Sequence, residues 1–353
     1  MSHYEERLET DLHEIRAQVQ TMGESVELAV RHACRALLTN DPDLAAQTIL
    51  GDIKINDESR DLDRLCHAFV ALHVPSAGHL RFVSSVLRLS IALERIGDYA
   101  ETISRSAVQL SEVPPPTVEG DIQLMADQSV RTLRQAMEAF NQRNADMARG
   151  TLELSEQFGK TSDKVFGDLL KEGGKDRRPL SDLFNFLATV NRLERIIHQA
   201  KNICEETIFV ATGEVKERKT FDILFLDERN DGASQVAEFL ARKVYADSGT
   251  YASAGWAPAD CVSTVYAEFG EKHGLDLFDA KPDSYRDEMA DRLAEFDIVI
   301  ALENDGRKHI PTIPFHTVFL QWQIGTTDGP EQTYKQIANA LSDLMGKLRG
   351  SSK

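Results

Sequence analysis

Glu94, Asp98 and Glu101 stand at i, i+4 and i+7, so three carboxylates share one face wherever their segment is helical. Like charges at that spacing repel and weaken an isolated helix. Something positive has to offset them. Solvent, Arg95, Arg105 and neighbouring helices are one answer, which makes this an ordinary charged face. A bound metal ion is the other, because facing helices of a bundle hold metals with hard carboxylate oxygens. Spacing alone leaves both open. A fourth carboxylate, Asp52, lies upstream, and packing two helices antiparallel would bring Asp52, Glu94 and Asp98 together.

The surrounding pattern recurs. Leu93–Ile103 reads LERIGDYAETI and Leu193–Ile203 reads LERIIHQAKNI, an offset of 100 positions. Further upstream Asp43-Leu44-Ala45 pairs with Asp146-Met147-Ala148, and Thr48-Ile49 with Thr151-Leu152, at an offset of 103. The unit was copied whole, and the second copy has lost about three residues, most simply at Gly173-Gly174. The copies differ where ligands would sit. Ser155 stands opposite Asp52, and His198 opposite Asp98, while Glu194 is kept. A neutral His198 can ligate iron or zinc, though a histidine at a bundle surface explains it slightly better. Ser155 is a poor ligand, with Glu156 beside it as a substitute.

A third cluster lies at Asp227-Glu228-Arg229-Asn230-Asp231-Gly232-Ala233-Ser234. It follows the apolar run Phe221–Leu226 and precedes a helical pattern of Val236, Phe239, Leu240 and Val244. A loop between a buried strand and a helix start can cradle an anion on its amides. Asp227 at a strand end, with Glu228 and Asp231 near it, is also a candidate phosphoryl acceptor with magnesium.

These clusters need elements to hold them. Leu8, Leu12, Ile15, Val19 and Met22 recur at helical spacing, which predicts a helix over 5–39. Asn40-Asp41-Pro42 ends it, with Asp41 as N-cap of a second helix that runs to about Val74. Pro75 stops that one, and Ser76-Ala77-Gly78 opens a third carrying Glu94 and Asp98. Pro114-Pro115-Pro116 is a stiff linker, after which the plan repeats. Lys216–Thr220 is a charged hinge. Beyond it, strand-like runs at Phe221–Leu226, Thr250–Ala254, Phe296–Leu302 and Thr317–Trp322 alternate with helical stretches, which predicts a parallel sheet with helices on its faces.

Charge narrows the partners. Lys and Arg total 40 against 57 Asp and Glu, a formal net charge of −17, so no basic surface for nucleic acid is expected. No apolar run approaches the roughly 20 residues that span a bilayer, and Met1–Thr10 lacks the regions of a signal peptide. Cys34, Cys66, Cys204 and Cys261 show no paired spacing, which fits reduced core residues in the cytoplasm.

Leu93–Asp98, the upstream Pro75-Ser76-Ala77-Gly78-His79-Leu80-Arg81-Phe82, and Asn202–Glu214 together resemble the PhoU family of phosphate-signalling regulators, over about residues 5–216. The resemblance implies tandem three-helix bundles at 1–113 and 117–216, with metal carried on Glu/Asp-x-x-x-Asp motifs. Asp52, Glu94 and Asp98 would form one site and Glu194 with His198 a second, for iron, zinc or magnesium. His198 departs from the usual Asp and puts a symmetrical pair in doubt. The partners it implies are the nucleotide-binding subunit of a phosphate ABC transporter and a sensor histidine kinase, with a homodimer as a further expectation.

The domain at 221–353 resembles, over about residues 221–349, low-molecular-weight protein tyrosine phosphatases and arsenate reductases. Ile223–Leu226, Gln235–Glu238, Ser253-Ala254-Gly255, Phe296–Val299 and Gln321-Trp322 carry that likeness, which implies a four-stranded parallel doubly wound domain. That family's loop has a cysteine, five residues and an arginine. Here Asp227 and Ala233 occupy those places, and Asn230, Ser234 and Asp328 complete a degenerate anion loop. A thiolate attacks phosphorus while a guanidinium fork clamps its oxygens, so losing both predicts no catalysis and no cofactor in this domain. The expected whole is a non-enzymatic regulator of phosphate uptake and starvation signalling. The alternatives are a phosphohydrolase or arsenate-handling enzyme working through Asp227, and a metal-binding helical scaffold.

Overall fold

The computed structural model describes residues 3–155, 158–173, 178–216, 219–289, 292–303, 306–310, 312–314, 317–324 and 329–350. Of the positions singled out above, Glu156, Gly174 and Asp328 fall outside these. The chain divides into two compact units, Met1–Lys216 and Glu217–Lys353.

The first unit is helical. Helices α1 (His3–Thr39), α2 (Pro42–Leu72) and α3 (Ala77–Gln109) make up its first half. The second half has α4 (Pro116–Gln142), α5 (Ala145–Ser155), α6 (Phe158–Gly173) and α7 (Leu180–Thr212). Local chemistry sets the boundaries. Asp41 Oδ1 accepts from Leu44 N at 3.0 Å and caps α2, with Pro42 in the first turn. Ser76 Oγ accepts from His79 N at 3.3 Å and caps α3. The second half repeats the device, as Asn144 Oδ1 accepts from Met147 N at 3.0 Å to cap α5. The residue before each of these two side-chain caps, Asn40 (φ 49°) and Arg143 (φ 51°), is left-handed. The same corner was thus copied along with the helices. One detail departs from the sequence expectation: α4 begins at Pro116, so the third proline is the first helical residue rather than linker.

Leu12, Ile15, Met22, Leu93, Ile96 and Ile103 are buried in a core that continues through Ile122, Leu133, Phe186, Leu193 and Ile203 of the second half. At about 25 cal/mol per Å2 of apolar surface, this burial is what holds seven charged helices together. Arg88 on α3 pairs with Glu206 on α7, and Arg134 on α4 with Glu27 on α1.

The second unit is α/β. Strands β1 (Phe221–Asp227), β2 (Gly249–Gly255), β3 (Ile298–Ala301) and β4 (Val318–Gln321) form a parallel sheet in the order β2-β1-β3-β4. The apolar run of β1 is buried on both sides, as a central parallel strand requires. Ile223 and Phe225 pack with α8 (Ala233–Val244), α9 (Thr264–His273) and α10 (Pro330–Leu348). Leu224 and Leu226 pack on the other face with Tyr285, Leu293, Phe296 and Ile310, contributed by short helical turns and loops. The carboxyl end of β1 delivers Asp227 to the loop leading into α8.

Candidate functional sites

In the helical unit, Asp52 on α2 is half-buried, and its Oδ1 is a buried atom with no hydrogen-bond partner. Oδ2 accepts from Asn56 Nδ2 at 2.7 Å. Burial pushes the Asp52 carboxyl above its ordinary value of 3.8, and Asp98 and Glu101 push it further, while Asn56 and Arg105 pull it back. Asp98 is raised as well, chiefly by burial and then by Glu94 and Glu101. Arg105 is committed to Glu101, with Nη2 to Oε1 at 2.5 Å. The carboxylates acting on Asp52 across the α2–α3 pair are therefore Asp98 and Glu101.

Glu94 acts on Asp98 along its own helix. Among the described residues no three His, Cys, Asp or Glu side chains are arranged to hold one metal ion; of the expected trio, Asp98 acts on Asp52 across the helix pair. What the structure brings together is a hard-oxygen patch containing one unsatisfied oxygen and too little positive charge. Carboxylate oxygens are the donor type that hard cations take, but among the described residues no three such side chains are arranged around one ion.

The second half does not fit a cation. Lys201 stands at the position equivalent to Glu101, His198 at that of Asp98, and Ile197 at that of Gly97. Ser155 Oγ donates to its own helix at Leu152 O, 2.6 Å away. Desolvation lowers the His198 pKa below its ordinary value, and Lys201 and Arg195 lower it further, against Glu194. A neutral imidazole can ligate, but the one carboxylate that shifts it is Glu194.

In the α/β unit, Asp227 is 5% exposed. Its Oδ1 accepts from Asn230 N at 2.6 Å and its Oδ2 from Ser234 N at 2.9 Å. Asn230 is fully buried and left-handed, at φ 49°, which Asn tolerates better than most residues. Its Nδ2 donates to Ser234 Oγ and to Ser253 Oγ, each at 2.8 Å. Its Oδ1 accepts from Gln235 Nε2 at 3.0 Å and Asp283 N at 2.8 Å. Ser253 Oγ in turn donates to Glu238 Oε2 at 2.6 Å. The loop's carbonyls are used too: those of Glu228, Arg229 and Asp231 accept from Ala257, Ala259 and Ser263 N at 2.8–2.9 Å.

Burial raises the Asp227 carboxyl and Asp231 adds to it, while the bonds from Ser234 and Asn230 oppose both. Glu303, after β3, is raised by burial and by Asp227, and the Glu228 N–H bonded to it opposes this. Arg229 pairs with Asp231 at 2.8 Å, so it faces its own loop's carboxylate. Tyr266 lies across Gly232, where a Cβ would come within 2.7 Å of its ring. Ala233 is buried at the start of α8 and offers no charge.

Sequence reasoning named Asp227, Asn230, Ala233 and Ser234 but missed Ser253, Glu238, Gln235 and Glu303. Gln235, Glu238 and Ser253 lay inside motifs read only as fold markers. Glu303 lies some 75 positions downstream and carried no signal. The cysteines also need one correction. Cys34, Cys66 and Cys204 are buried and pushed up to about 12 by desolvation, as core thiols should be. Cys261 is exposed.

The fold and sites thus define a duplicated helical scaffold carrying a small parallel α/β domain. A PhoU domain profile matches residues 19–107 and 122–207. A Pseudomonas putida protein described as a phosphate-specific transport system accessory protein PhoU homolog is 33% identical over 216 residues, covering 60% of this chain and 83% of that one. The Escherichia coli K12 accessory protein PhoU is 26% identical over 241 residues, or 68% and 95% of the two chains. The crystal structure of PhoU from Pseudomonas aeruginosa gives a TM-score of 0.56 at 30% identity, over 58% of this chain and 99% of that one. The chain belongs to the PhoU family. It is also similar to a thioredoxin-dependent arsenate reductase from Corynebacterium glutamicum, at 23% identity and a TM-score of 0.34, over 41% of this chain and 69% of that one. Among the described residues no helix is long and apolar enough to cross a membrane.

Proposed function

We propose that this chain is a cytoplasmic accessory regulator of phosphate transport in which the helical unit works by binding other proteins and the α/β unit is not catalytic. One observation carries the reading: both repeats match the PhoU domain, and the Pseudomonas putida relative is named for the phosphate-specific transport system. The partners that suit it are the transporter's nucleotide-binding subunit and a sensor histidine kinase. A helical surface of this kind acts by shifting a partner's conformational equilibrium. A cation drawn to this face would act by neutralising the repulsion that Asp98 and Glu101 exert on Asp52.

The enzymatic alternative runs through Asp227 as nucleophile. Against it, both carboxylate oxygens are already engaged as acceptors, and the nearest guanidinium in the loop, Arg229, is paired with Asp231. A nucleophile so bound is restrained rather than activated. Deleting the gene in its own host tests the regulator reading. Phosphate uptake and a starvation-gene reporter should both rise in phosphate-rich medium and fall back when the full chain is restored. Unchanged uptake and reporter would sink it.

A further inference from the structure

Main-chain N–H groups gathered at a strand–loop–helix junction attract anions, since each carries a partial positive charge that wants an acceptor. In this loop the acceptor belongs to the chain. Asp227 Oδ1 takes the Asn230 N–H at 2.6 Å and Oδ2 takes the Ser234 N–H at 2.9 Å. Two loop amides therefore point at the carboxylate supplied from the end of β1.

The loop around them has supports besides the carboxylate. Asn230 is bonded on both ends of its amide to Ser234, Ser253, Gln235 and the Asp283 N–H. Within this buried set the Gln235 Oε1 has no partner, and Gln235 is only 3% exposed. The loop carbonyls are tied to residues 257–263. The nest has bonds of its own, and its occupant is tethered to the chain.

We propose that the Asp227 carboxylate is an intramolecular ligand filling a tetrahedral-oxyanion cradle formed by the Asn230 and Ser234 amides, so that this site takes inorganic phosphate or arsenate only when the carboxylate is removed. The proposal deepens the reading of the α/β unit as non-catalytic and rests on it. It adds a cause: the site is occupied as well as disarmed. An external dianion would have to displace a tethered group at high effective concentration and sit against Asp231 and Glu303.

The test is a phosphate titration of the full chain at constant ionic strength, following the Asn230 and Ser234 amides by 15N–1H NMR. In the unsubstituted chain these two resonances should stay still. In Asp227→Gly they should shift saturably, with an apparent affinity at least tenfold tighter, and arsenate should compete. Asp227→Asn keeps the shape but cannot accept from Ser234 N with its –NH2 end. It should gain binding in the same direction by a smaller factor, and it serves if the glycine variant fails to fold. Saturable phosphate binding at these amides in the unsubstituted chain overturns the proposal. So does a folded Asp227→Gly or Asp227→Asn that binds phosphate no better than the parent. Phosphoester turnover by the unsubstituted chain would instead overturn the non-catalytic reading, which makes the two failures distinguishable.

Discussion

Asp52 Oδ1 lies against the bare Cα of Gly97, where a Cβ would come to 3.3 Å from that oxygen and 3.1 Å from Ile55 Cγ2. Glycine at this crossing lets α2 settle on α3 closely enough to bury a carboxylate oxygen beside a helix. The equivalent position in the second half is Ile197, facing Ser155 in place of Asp52. Putting that residue into the first half should separate the helices locally. Gly97→Ile is expected to cost about 1–3 kcal/mol by overpacking and to expose the Asp52 carboxylate. Thermal unfolding measures the first effect. The second should appear as an Asp52 carboxyl titrating near its ordinary 3.8 by NMR, since burial is the largest cause of its rise.

The same patch predicts how stability depends on pH. Asp52 and Asp98 both titrate above 3.8 in the folded chain. Between that value and their raised ones the folded state holds protons that the unfolded state has released, so these groups make stability fall as pH rises through the window. Above it the loss is complete and constant. Asp98→Asn should therefore stabilise the metal-free chain at neutral pH, by less than about 1 kcal/mol because the group is largely exposed, and should flatten the fall. If a divalent cation occupies the patch, adding manganese or magnesium should raise the melting temperature of the unsubstituted chain and leave Asp98→Asn unmoved. A melting temperature that Asp98→Asn lowers in metal-free buffer would contradict this.

Arg88 and Glu206 predict how strongly the copies are tied. Nε to Oε1 is 2.5 Å and Nη2 to Oε2 is 2.6 Å, a two-pronged bond between residues 118 positions apart. The guanidinium also lies 5.5 Å from the Phe209 ring centroid. Exposed pairs usually contribute under 1 kcal/mol, but the fork geometry and the ring place this one at the upper end. Arg88→Ala should destabilise the helical unit by about 1 kcal/mol. Arg88→Lys should recover less than half of that, because an ammonium cannot span both oxygens. Chemical denaturation of the three proteins decides it.

The helices, the duplication and the sheet were legible because their signals are local and repeated. Asp41, Pro42 and Ser76 announce helix starts by side-chain chemistry, and Phe221–Leu226 announces a buried strand by its length and apolarity. The partners of the site residues were not legible. That Asp98 and Glu101 both act on Asp52 depends on how α2 meets α3, where Gly97 lies against Ile55 and Asp52, and spacing along one helix does not encode that. Asp227 looked like a lost nucleophile because its bonds run to main-chain amides, and every residue type except proline carries one. Asp328, the remaining predicted residue of that loop, lies outside the described residues.

Asn230 carries the last prediction, because it is the residue on which the α/β loop depends. It is fully buried with a positive φ, and its side-chain amide makes four bonds, two as donor and two as acceptor. Asn230→Ala would leave Ser234, Ser253, Gln235 and the Asp283 N–H short of a partner at once. It would also put a Cβ-bearing residue less tolerant of the left-handed region in its place. Each buried polar group left unsatisfied costs about 1–3 kcal/mol, and part of the strain will be relieved by water. A net loss of about 3–5 kcal/mol is expected, enough to unfold a marginal domain. Asn230→Asp is the informative companion: it keeps both acceptors but loses the donors to Ser234 and Ser253, and adds a charge beside Asp227. It should be destabilised at neutral pH and recover as the pH falls and the new carboxyl takes up a proton. Hydrogen exchange of the β1 and α8 amides reads both variants. Unchanged protection in Asn230→Ala would mean the loop is held by its carbonyl bonds to residues 257–263 instead.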